Sequence, residues 1–249
     1  PTVNQNQHMD ALLRLGDDAL VLAQRLGEWC GHAPALEEDI ALTNIALDLI
    51  GQTQSYLSLA GSLDPDAPKP DDELAFLRSD REFKNLLLVE QSNGHFGDTI
   101  ERQFLFDKYA LLRAEHIAQQ TFDMDSAAIA AKAVKEIRYH ADHSSKWIIR
   151  LGDGTSESHS RIQKSINDLW KFTGEMFAAD EVDIAGSIAG LLPDLTALKT
   201  QWDEEVDKVL LEATLVRPED GEMKTGGRTG VHTEELETML AEMQILPRT

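Results

Sequence analysis

Apolar residues recur every three or four positions from Ala127 to Leu151. Ala130, Ala133, Ile137, His140, Ser144, Trp147 and Leu151 fall on one face of a helix with a 3.6-residue period. The same rhythm governs residues 10–28, where Leu12, Leu15, Ala19, Leu22 and Leu26 form a stripe with Gln24 on its edge. A second long helix is predicted from about Leu36 to Ala60, with Leu42, Ile45, Leu49, Gln52, Tyr56 and Leu59 facing inward. A third runs from Arg78 to about Gln120, broken at Ser92-Asn93-Gly94, and puts Phe96, Ile100, Gln103 and Ala110 on one face.

Breaks between these segments carry the expected punctuation. Two glycines and a proline interrupt Gly27 to Pro34, where His32 reads as a surface residue. Three prolines and several acids make residues 61–73 a solvated loop, and Gly152-Asp153-Gly154 ends the His140 helix. Further segments follow the helical rhythm: Ile162 to Phe177, Leu195 to Leu210 and Leu236 to Met243. No alternation of apolar and polar residues is long enough for a sheet. The expected fold is all-α: a four-helix core over about 10–151, additional helices over about 157–245, and one domain spanning 1–249.

Composition narrows the function classes. Lys and Arg number 23 against 44 Asp and Glu, and the net charge of −21 disfavours nucleic acid and anionic membrane surfaces. The acids are dispersed among apolar residues, as on a solvated surface. Cys30 is the only cysteine, which rules out an internal disulfide or a cysteine-rich metal motif. No stretch approaches about 20 uncharged apolar residues, and a soluble, cytoplasmic protein is expected.

His140 poses the chemical question. Helix bundles that hold two metal ions carry Glu-x-x-His on inward faces, but the residue three before His140 is Ile137. The inward positions read as Gln24, Leu49, Gln52, Gln103, Ile137 and His140, of which only His140 is a competent iron ligand. One reading is a buried imidazole held by the glutamines, with His143 off the stripe and exposed. The other is an unusual metal site recruiting from Glu28, Asp48, Glu90, Glu101 and Glu136. Thr225 to Gly230 is glycine-rich, a weak anion-site signal without the strand that a phosphate loop needs.

Five ordered blocks carry a resemblance over nearly the whole chain: LGEWCGHAP (26–34), NIALDLIGQ (44–52), NLLLVEQSNGHFGDTI (85–100), KEIRYHADHS (135–144) and TGGRTGVHTEEL (225–236). Together they resemble the C-subunit family of bacterial phenylacetyl-coenzyme A 1,2-epoxidases, multicomponent monooxygenases of aerobic phenylacetate breakdown. The resemblance implies a ferritin-like, non-catalytic structural subunit beside a homologous A subunit that holds the di-iron centre and most of the phenylacetyl-CoA. It also implies a further small subunit and a flavin and iron-sulfur reductase fed by NADPH, with O₂ as oxidant and no cofactor in this chain. The six inward positions then stand where ligands would be, as a degenerate metal site.

Several expectations accompany this reading. The helices around Leu86 to Leu112 and the second-half segments are expected to supply the partner interface, and the isolated chain to be capable of homodimerising. Arg78, Arg81, Lys84 and Arg228 are weak candidates for CoA phosphates. The competing functions are a self-sufficient metalloenzyme using Asp48, Glu136 and His140, and an acyl-CoA-binding module without chemistry.

Overall fold

A computed structural model describes residues 3–249 of the chain. Its helices are α1 (Gln5–Gly27), α2 (Leu36–Ser62), α3 (Asp71–Phe76), α4 (Leu87–Glu90), α5 (Phe96–Gln119), α6 (Met124–Gly152), α7 (Ser156–Leu169), α8 (Glu181–Ala189), α9 (Leu195–Glu212) and α10 (Glu234–Met243). There is no strand among the described residues. The starts of the long helices are written in the sequence. Asn4 accepts from the Gln7 amide while the Gln7 side chain returns to Asn4, and Asp123 accepts from the amides of Asp125 and Ser126.

α1 pairs with α2 and α5 with α6 as two extensive hairpins, and α2 meets α6 to close a four-helix core. The first pair is close because Gly16 has no side chain. A Cβ there would lie 2.6 Å from Leu57 Cδ2. α7 and α9 cover the far side of α5, where Trp202 of α9 donates to the Leu105 carbonyl at 3.0 Å.

The segment expected to be helical from Arg78 differs. Only a short 3₁₀ turn at Asp80–Glu82 and the single turn α4 form before α5 begins at Phe96. The backbone there is fixed from outside: the Lys84 amide donates to Asp17, the Leu86 amide to Asp18 and the Leu87 amide to Glu175, all at 2.8–2.9 Å. Side-chain acceptors thus replace the helical carbonyls that periodicity alone would supply. Likewise α7 ends at Leu169, and 3₁₀ turns carry the chain on to Phe177.

The chain after α9 returns across α1 and α4 and is held by charge. Asp18 is fully buried and receives Arg113 at 2.9 Å and Arg228 at 2.9 and 3.0 Å. Asp17 is equally buried and pairs with Arg78. Breaking such a pair from one side typically costs about 3–5 kcal/mol, because the other charge stays buried. The glycine-rich loop does bind an anion, but one of the chain's own: the amides of Gly226 and Gly227 donate to Glu175 Oε1 at 2.9 and 2.7 Å.

Candidate functional site

The interior between the two hairpins contains a small cavity lined by Leu15 and Ala19 of α1, Leu49, Gln52 and Tyr56 of α2, Asp107 and Ala110 of α5, and Ile137 and His140 of α6, among others. Its volume is about 20 Å³, room for about one water molecule. His140 is completely buried. Its Nε2 lies 2.9 Å from Asp48 Oδ2, while Nδ1 has no protein partner. A carboxylate accepts, so Nε2 carries the proton and the Nδ1 lone pair is left free. Burial pushes the His140 pKa down against the opposing pull of Asp48, which favours that neutral form.

Asp107 was missed by the sequence reading. It is 1% exposed and lines the cavity, with Gln103 Nε2 donating to Oδ1 at 2.6 Å and Ser144 Oγ to Oδ2 at 2.9 Å. Burial raises its pKa well above the usual carboxylate range, and the two hydrogen bonds offset this only in part. The signal was available: Phe96, Ile100, Gln103 and Ala110 define a stripe on which the next four-residue step from Gln103 is residue 107.

The structure brings Leu49, Gln52, Ile137 and His140 together around this cavity and corrects the other two positions. Gln24 is half-buried in a surface groove with Ile50, Asp71 and Met243. It sits five residues beyond Ala19, a turn of about 140° away from the cavity. Gln103 is buried but bonded to Asp107, one helical turn toward the N-terminus of α5. The glutamines do not hold His140. Asp48 does, while Gln52 donates to Glu136 at 2.9 Å. His143 is also not exposed: its side chain is 11% accessible and reaches Glu38 at 2.8 Å, a second tie between α6 and α2.

The reserve carboxylates are scattered. Glu28 pairs with Arg25 at the end of α1. Glu90 is buried and receives Asn85, His232 and Thr233. Glu101 is buried with neither oxygen hydrogen-bonded to protein, and burial, then Asp98, raises its pKa. A ferritin-like dimetal centre draws on about four carboxylates and two imidazoles converging between the helices. Among the described residues no three His, Cys, Asp or Glu side chains gather in a metal-holding group. The donors lining this cavity, Asp107, His140 and Gln52, with Leu49 and Ile137 beside them, do not fit such a centre.

The cationic candidates for CoA are also committed elsewhere, apart from the exposed Arg81. Arg78 and Arg228 are in the buried pairs with Asp17 and Asp18, and Lys84 Nζ lies 3.3 Å from Asp10. No helix among the described residues is long and apolar enough to cross a membrane.

This arrangement can be set against known proteins. The model of the family described as phenylacetic acid catabolic protein matches residues 1–249. The chain belongs to this family. It is 51% identical over 248 residues to the C subunit of the 1,2-phenylacetyl-CoA epoxidase of Escherichia coli strain K12, covering 98% of this chain and 97% of that protein. Among solved structures it is similar to a Synechococcus protein with aldehyde deformylating oxidase activity, with a TM-score of 0.59 and 13% identity over 85% of this chain and 91% of that one. At that identity the likeness speaks to the fold alone, which is ferritin-like.

Proposed function

We propose that this chain is the structural, non-catalytic subunit of a phenylacetyl-CoA epoxidase of aerobic phenylacetate breakdown, working in the cytoplasm. It supports a homologous catalytic subunit that holds the di-iron centre and most of the thioester. A smaller subunit and a flavin and iron-sulfur reductase complete the complex. The relative from Escherichia coli supports the assignment to an epoxidase. The observation that carries the non-catalytic reading is the interior of the bundle: Leu49, Gln52 and Ile137 line the cavity beside one carboxylate, Asp107, and a single histidine whose Nε2 is engaged by Asp48.

The competing metalloenzyme would need Asp48, Glu136 and His140 to share an ion. Asp48 is bonded to His140 itself, and Glu136 to Gln52. The acyl-CoA module would need free cations, and Arg78 and Arg228 are spent on Asp17 and Asp18.

Turnover of phenylacetyl-CoA by the complete complex tests the proposal. With His140→Gln or His140→Phe in this chain, turnover is expected to stay within about twofold of wild type. A His140→Gln variant that folds and assembles but loses about a hundredfold or more would contradict a supporting role.

A further inference from the structure

His140 has one nitrogen to spare. Its Nε2 donates to Asp48 Oδ2 at 2.9 Å, while its Nδ1, in a fully buried ring, has no protein partner. A lone pair orphaned in an interior is costly, and nearly all buried polar atoms of folded chains find a partner. Across the cavity's lining, Asp107 of α5 is 1% exposed, and its two oxygens accept one bond each, from Gln103 and from Ser144. A carboxyl oxygen has two lone pairs, so each keeps a position for one further bond, and a neutral carboxyl has a proton of its own to place.

His140 and Asp107 line the same cavity, yet no hydrogen bond joins them. The space is about 20 Å³, which admits one water and nothing larger. A purely apolar cavity stays dry, because a water inside it would forfeit its own hydrogen bonds. This cavity is different: beside Leu15, Leu49 and Ile137 its walls include Gln52, Tyr56, Asp107, Arg113 and His140. A buried water needs about two to four polar partners. Nδ1 supplies an acceptor, and Asp107 supplies an acceptor or an acid proton. A metal ion does not suit the same space, since among the described residues no third His, Cys, Asp or Glu joins the pair in a metal-holding group.

We propose that this cavity is a binding site for a single water molecule that donates to His140 Nδ1 and bonds to Asp107. The water turns separate contacts into one chain of hydrogen bonds across three helices. The chain runs from Asp48 on α2 to His140 on α6, through the water to Asp107 on α5, and back to Ser144 on α6. Its outer end reaches the surface, where the Asp48 side chain is 35% accessible. Both nitrogens of His140 are then engaged, which fixes the ring and its tautomer in place. The bridge also fastens the first hairpin to the second through polar bonds as well as apolar packing. The site lies wholly within the bundle and needs no partner chain.

A high-resolution crystal structure of the full chain is the direct test. The expected result is one peak of density in the cavity, about 2.7–3.2 Å from His140 Nδ1 and from an Asp107 oxygen. An empty cavity, a direct bond between His140 and Asp107, or a peak within reach of only one of them or neither overturns the proposal. Thermal unfolding reads the same site in solution. Ala110 lines the cavity from α5, and Ala110→Val fills the space that the water takes. In the wild-type background the melting temperature is expected to fall by about 2–10 °C, because Nδ1 loses its donor. In His140→Leu, which has no lone pair to serve, the same substitution is expected to be neutral or stabilising, as the filling of an apolar cavity commonly is. An equal fall in both backgrounds is the signature of overpacking alone, and a rise in the wild-type background that of a dry cavity; either result overturns the water bridge.

Discussion

His140 and Asp107 are buried polar residues of the bundle interior. Burial pushes the His140 pKa down and the Asp107 pKa up, and the one-water cavity lies between the helices that carry them. Burial raises the folded Asp107 above its ordinary value of 3.8, so the folded chain releases this proton at higher pH than the unfolded chain does. A raised folded value means that stability is complete below that pH and declines as pH rises toward the folded value. Asp107→Asn removes this penalty. It is accommodated because Gln103 Oε1 has no partner, so the Gln103 amide can turn to accept from the new side chain. The urea midpoint of Asp107→Asn is therefore expected to exceed that of wild type, by more at pH 8 than at pH 5; a variant less stable at both would show that the buried carboxyl is an asset. His140 was legible from its stripe, and Asp107 could have been. Asp48 stood in the sequence only as a reserve carboxylate; that it holds His140 was not legible, because a residue one step off the inward face reaches a neighbouring helix only once the hairpins are assembled.

The long helices follow directly from their stripes and caps, and α1, α2 and α6 run close to where periodicity puts them. What periodicity could not show is where long-range acceptors take over the backbone, as Asp17, Asp18 and Glu175 do between Arg78 and α5. Nor could it show that the glycine-rich segment closes on Glu175, since the two are about fifty residues apart. The same return of the chain contains a pH-sensitive tie. His232 Nδ1 lies 2.7 Å from Glu90 Oε2 and Nε2 lies 2.9 Å from the Phe83 carbonyl, so both nitrogens donate and the ring is cationic. Burial alone would lower its pKa, but Glu90 outweighs burial and raises it. A raised histidine stabilises fully below its unfolded value of about 6.5 and loses that contribution as pH rises through the folded value. Between pH 6 and 9 the wild-type advantage over His232→Asn in urea unfolding is expected to shrink. An advantage constant over that range would mean that the ring is held by shape alone.

Taken whole, the molecule keeps a ferritin-like scaffold in which Leu49, Gln52, Asp107 and Ile137 line the central cavity and the inward histidine is bonded to Asp48. On its surface α2 leaves Leu36, Ile40, Leu47 and Ile50 exposed. The fold class and the family were legible in the chain; the surface was not, because an apolar residue on a doubly apolar helix does not reveal which side stays open. Iron per chain, measured by elemental analysis after anaerobic loading of the isolated protein with ferrous iron, decides between scaffold and enzyme. The expected result is far less than one iron per chain, unchanged in His140→Ala; about two per chain, lost in that variant, would make this bundle an oxygen-activating enzyme in its own right.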